Sequence, residues 1–143
     1  MNDNFLGELV YNGGWSKEEE LRFWSEKIIM RLVFSAYENE EVNSAQIASY
    51  KYFKEDLENI SKLSLIKLKE YIECIEDDVL MYGDVDAIPE DIFEIVKITQ
   101  VLFLENGTFA ILCNAAWDDH GVAVLCTEDK IVAGPQDIVW RES

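Results

Sequence analysis

His120, the lone histidine, lies in Trp117-Asp118-Asp119-His120-Gly121. A carboxylate can orient an imidazole and stabilise its charged form, so this grouping points to general acid–base chemistry. Two considerations oppose that reading. Neighbouring residues on a strand point to opposite faces, and Asp and Gly are turn formers. The segment reads as a structural turn at 117–121, anchored by His120 and with Gly121 at positive φ. A small hydrolase using His120 and a nearby carboxylate is the alternative. Cys113 or Cys126 could supply a nucleophile to that histidine, yet each reads more simply as an inward residue of a central strand. A metal centre needs two or more further His or Cys ligands at workable spacing, and only scattered Cys74, Cys113 and Cys126 are on offer. No metal and no cofactor is expected. The phosphate-loop, dinucleotide, nucleophile-elbow and zinc-protease motifs are all missing from the sequence, so no catalytic residue is assigned.

The second concentration of chemistry is acidic. Glu73, Glu76, Asp77, Asp78, Asp84, Asp86, Glu90, Asp91 and Glu94 fall within 22 residues that hold no Lys or Arg. One reading is a solvated helix end followed by an acidic loop. The other is a docking patch for a basic protein through Asp77, Asp78, Asp84, Asp86, Glu90 and Asp91, because complementary potential speeds association and fixes orientation. A calcium loop fails on its own pattern. Ile88 stands where a third oxygen ligand is needed after Asp84 and Asp86, and the required glycine is missing.

The whole chain shares this bias, with 12 Lys+Arg against 29 Asp+Glu and a formal charge of -17 over 143 residues. Nucleic acid is disfavoured, since phosphate contacts need clustered cations, and an anionic membrane surface repels the chain likewise. No apolar run approaches the ~20 residues that span a bilayer, and the start has no signal-peptide pattern. The expectation is a cytoplasmic protein, 1–143 forming a single domain. Three cysteines are an odd number, where a disulfide scaffold wants an even count at higher density, and they read as reduced, buried thiols, with one internal bridge plus a free thiol as the alternative. Trp15, Trp24, Trp117 and Trp140 read as core and sheet-face residues in preference to a sugar platform.

The elements that must position these groups fall into three blocks. Residues 5–37 read as an antiparallel meander with strands at 5–11, 21–24 and 27–37. In the last of these, Ile28, Met30, Leu32, Phe34 and Ala36 alternate with a mixed set, the period-2 mark of a half-buried strand. Residues 43–82 read as a helical hairpin, with helices near 44–58 and 64–80 and a break at 59–64. Asn43 and Gln46 suit a capping box at its start. Residues 93–140 read as a second antiparallel meander, with Asn106-Gly107 as its strongest hairpin signal. The fold class is therefore α+β, with the helices packed on one sheet face. Leu68, Ile72, Ile75, Val33, Ile111 and Val124 are expected in the core.

One resemblance adds to this. Trp117-Asp118-Asp119-His120-Gly121, followed by Gly134, Gln136, Asp137 and Ile138, resembles the end of a family of uncharacterised bacterial domains. In that family a W-D-x-x-H-G turn precedes a strand and a closing G-x-Q-D-I. This chain is one residue shorter between Trp117 and His120, and has Asp119 where relatives often carry Glu. Residues 5–10 and Gly14-Trp15 also resemble it. The family is similar in size and context to small proteins encoded near bacterial polymorphic toxins, some acting as immunity proteins. The resemblance implies an interaction role and supplies no catalytic residue. The expected function is a non-catalytic, acidic protein-interaction domain, of the kind that inhibits a basic toxin or binds another basic protein. A structural adaptor is a further alternative.

Overall fold

Nine-residue stretches on either side of Trp24-Ser25 alternate inward and outward side chains, and they form the longest hairpin of the domain. The computed structural model describes residues 2–3, 6–37, 39–83, 85–127 and 130–139. Its strands are β1 (Asn2–Asp3), β2 (Gly7–Glu8), β3 (Val10–Tyr11), β4 (Trp15–Phe23), β5 (Glu26–Phe34), β6 (Val96–Phe103), β7 (Phe109–Ala115), β8 (Asp118–Cys126) and β9 (Ile131–Pro135). Between β5 and β6 come α1 (Ser44–Glu55), α2 (Leu57–Cys74), α3 (Glu76–Tyr82) and a 3-10 turn, Ile92–Glu94. Strands β3 to β9 make one seven-stranded sheet in chain order, while β1 and β2 pair separately. All neighbours are antiparallel except β5 and β6, which the helices connect in parallel. The expected α+β class, with two antiparallel meanders and helices against the sheet, is what the chain forms.

Several boundaries differ from the sequence reading. β4 begins at Trp15, because Lys17 and Glu19 turn toward α1 and are neutralised there, while Leu21 and Phe23 follow on the same face. The expected hairpin of two helices is instead three helices in series, jointed at Asp56 and Ile75. Hydrogen bonds from Asp56 N–H to Tyr52 O and from Ile60 N–H to Asp56 O carry the helical pattern through the first joint. The residues that suggested a break at 59–64 lie within α2. Ser61 and Ser64 there accept hydrogen bonds from the backbone N–H (2.7 Å) and the indole N–H (3.0 Å) of Trp24. Buried partners outweigh the mild helix aversion of serine.

The capping box forms as read: Gln46 N–H donates to the Asn43 side chain and Asn43 N–H to the Gln46 side chain. Gln46 does more. Its amide also donates to Ser35 O (2.7 Å) and Phe103 O (3.0 Å), tying α1 to the ends of the parallel pair.

The helix face of the sheet is packed with Phe23, Phe34, Phe53, Phe103 and Phe109, together with Ile60, Leu68, Ile72 and Val79. Phe34 stacks on Phe103 with centroids 4.8 Å apart. The opposite face carries its own smaller layer: Val33, Leu102, Ala110, Leu112, Ala123 and Leu125, with Ile138 and Val139. Of the expected core, Leu68, Ile72, Val33, Ile111 and Val124 are buried. Ile75, at the joint, is half-buried. Trp24 and Trp117 are buried, Trp15 is half-buried, and Trp140 lies outside the described residues. No described helix is long and apolar enough to cross a membrane.

Candidate functional site

The turn between β7 and β8 is not where the sequence put it. Ala115 pairs with Asp118, so Ala116 and Trp117 make the reversal and Asp118, Asp119 and His120 open β8. The register then slips, with Cys113 opposite Val122, which leaves Asp119, His120 and Gly121 bulged against Asn114. Gly121 makes this feasible. Its φ is +77°, and a Cβ there would sit directly against the Cys113 carbonyl oxygen and the Gln136 amide. Gln136 closes the bulge, donating its amide to Cys113 O (3.2 Å) and its N–H to Gly121 O (3.3 Å). Gly134 leaves room for Ile138, whose side chain would lie 3.2 Å from a Cβ at that position.

These contacts give the motif residues separate tasks. Trp117 is buried in the main core. Asp118 accepts the backbone N–H of His120 at 2.9 Å. Asp119 and Asp137 are exposed, as is the His120 side chain. The expectation that His120 anchors the turn is therefore corrected: the hold comes from Asp118, Gly121 and Gln136. Burial pushes the thiols of Cys113 and Cys126 up to about 12, so neither offers a thiolate to His120 near neutral pH. Cys74, expected to be buried, is exposed near the end of α2. Among the described residues no group of His, Cys, Asp and Glu is arranged to hold a metal.

The acidic run surfaces beside this motif. Glu73 lies in the last turn of α2, Glu76, Asp77 and Asp78 form the first turn of α3, and Asp86, Glu90, Asp91 and Glu94 follow; all are exposed. Asp84 lies outside the described residues. Asp91 also accepts the Phe93 N–H at 3.0 Å, starting the 3-10 turn. None of the described salt bridges involves a carboxylate of this run. The hydroxyl of Tyr71 on α2 is pushed above its ordinary pKa by burial first and then by the charges of Asp118 and Asp137 of the motif and Asp78 of α3. Between α2 and residues 88–92, Ile72, Ile88, Pro89 and Ile92 floor a groove of about 540 Å³ edged by Glu73, Glu76, Glu90 and Lys69.

Sequence spacing indicated the acidic run and the motif separately. It gave no signal that they share a surface, nor that Tyr71 joins them, because that depends on how α2 crosses the C-terminal strands. Chemically, the arrangement presents carboxylates around apolar footholds, which suits a ligand carrying cations and apolar side chains.

The fold and this surface define an α+β domain built on a mostly antiparallel seven-stranded sheet, with three helices on one face. The chain belongs to the family described as Domain of unknown function (DUF6985), whose model matches residues 5–140. No curated protein and no solved structure matches it.

Proposed function

We propose that the domain is a cytoplasmic, non-catalytic binding protein that receives a basic protein partner on the surface formed by α3, residues 85–94 and the β7–β8 hairpin. The role that suits it best is immunity-type inhibition of a basic bacterial toxin. The observation that carries this reading is the exposed carboxylate run, outside every described salt bridge and placed beside a groove with an apolar floor. Unneutralised charge of one sign raises the encounter rate with an oppositely charged partner, and apolar pockets supply the short-range anchor.

The test starts with capture of partners at low and high salt, identified by mass spectrometry, using the wild type and a variant carrying Asp77→Asn, Asp78→Asn, Asp86→Asn and Glu90→Gln. A basic partner should be retained by the wild type at low salt and lost by the variant. Stopped-flow association with that partner should slow at least tenfold at low salt, with a smaller change in dissociation. An unchanged association rate would remove the acidic surface from the binding site.

A further inference from the structure

The hairpin between β4 and β5 breaks two local rules at one place. Trp24 and Ser25 both have positive φ, 52° and 64°, a region that costs side chains with a Cβ about 1–2 kcal/mol each. Next to the tip, Arg22 lies directly opposite Lys27, and like charges across a strand pair repel. Strain of this kind persists only where surrounding structure enforces it, and it concentrates at ligand sites.

A groove of about 770 Å³ opens at this tip, between the hairpin and the joint of α1 and α2. Trp24, Leu57, Leu65 and Ile66 give it apolar walls, and Arg22, Lys54 and Lys62 bring three of the chain's 12 cations to it. Lys54 is bound to Glu19 at 2.6 Å. Arg22 and Lys62 are in no described ion pair, although Glu55 and Glu58 also stand on the rim. The size falls within the range of small-molecule sites.

The geometry points to a second binding site here, for a small organic anion with an apolar body and one acidic head group. The apolar walls take the body, and Arg22 with Lys62 takes the head group. This site is separate from the acidic surface and does not depend on the function proposed for it.

Anilinonaphthalene sulfonate has this chemistry and serves as the probe, with N-phenylnaphthylamine as its uncharged counterpart. Binding is followed by probe fluorescence and by energy transfer from tryptophan. The sulfonate should bind at one saturable site. Arg22→Gln and Lys62→Gln, both at exposed positions, should each weaken it at least fivefold and weaken the uncharged probe less than twofold. Glu58→Gln should tighten the sulfonate. Glu73→Gln with Glu90→Gln, at the other groove, should leave binding within twofold. Thermal melts confirm that each variant folds, and Lys62→Gln alone suffices if Arg22→Gln does not. Absence of saturable binding, equal loss of both probes, or loss caused by the Glu73 and Glu90 changes would overturn the assignment.

Discussion

The β4–β5 and β6–β7 hairpins reverse the chain in opposite ways. In the second, Asn106 accepts the N–H and the hydroxyl of Thr108, and Gly107 takes φ +88° without a side chain to clash. That turn is made largely by its own residues, with one contact from outside, the Asn43 amide donating to Glu105 O at 3.1 Å. In the first, a tryptophan and a serine occupy the conformation that glycine and asparagine would adopt freely. The cost is offset at a distance, because α2 accepts both N–H groups of Trp24 and the ring is buried against Phe23 and Phe93. One turn is specified locally and the other by tertiary contact. The β7–β8 hairpin stands between them: Gly121 supplies the local freedom, and Gln136, from beyond β9, supplies the distant clamp.

That intermediate case carries the largest expected effect. Gly121→Val should cost about 3–5 kcal/mol, since a β-branched residue there meets both a disallowed φ and the Cys113 carbonyl. His120→Gln should stay within about 0.5 kcal/mol, as an exposed substitution does. Urea melts of the two variants rank them. Equal losses would return the anchoring role to the imidazole.

Next in size is the hold that α2 has on Trp24. Ser61→Ala with Ser64→Ala strips the acceptors from two buried N–H groups, at about 1–3 kcal/mol each. Gly107→Ala should cost about 1–2 kcal/mol through φ alone, because its Cβ would meet Ala45 only at ordinary contact distance, 3.6 Å. A larger loss from Gly107→Ala than from the serine pair would reverse the contrast between the hairpins.

The same contrast explains what was legible beforehand. Asn106-Gly107, the Asn43–Gln46 capping box and the alternation through Met30, Leu32 and Phe34 carry their instructions within a few residues, and each was read correctly. The break expected at 59–64 fails at Ser61 and Ser64, and Lys17 and Glu19 give no local signal, because their partners are Trp24, Tyr50 and Lys54, 31 to 40 positions away. For the candidate surface, the acidic run and the motif were visible as strings. Their meeting around Tyr71 was not, since no local period encodes it.

A third prediction concerns the cluster that holds β4 to α1. Burial alone would raise the pKa of Glu19, but hydrogen bonds from Lys54, Lys17 and Tyr50 outweigh it and hold the carboxyl below its ordinary value. Lys17 is half-buried, which alone would lower its pKa, but its bonds to Tyr50 and Glu19 outweigh that and hold it above its ordinary value. A depressed carboxyl contributes stability above its unfolded value and loses it as pH falls through the folded one. A raised lysine contributes below its unfolded value and loses it as pH climbs past the folded one. Glu19→Gln should therefore cost about 1 kcal/mol at pH 7, and the gap from the wild type should close as the pH drops below about 4.5. Melts across that range measure it. A gap of the same size at pH 3 would show that the loss came from packing and not from the ion pairs.

The smallest effect probes the strain itself. Ser25 is exposed at φ 64°, and none of the described hydrogen bonds uses its side chain. Ser25→Gly removes about 1–2 kcal/mol of left-handed cost and adds about 0.5–1 kcal/mol of unfolded-chain entropy. The net should be a gain of up to about 1.5 kcal/mol, opposite in sign to every substitution above. The gain should survive in the Ser61→Ala, Ser64→Ala background if the strain is a property of the turn residues alone. If the hairpin tip holds the neighbouring groove in a binding shape, Ser25→Gly should also weaken the sulfonate probe while stabilising the fold. Stability rising with binding unchanged would separate the strained turn from the groove. A loss of stability would show that the surrounding structure fits Ser25 better than glycine, and the turn would then not be strained at that residue.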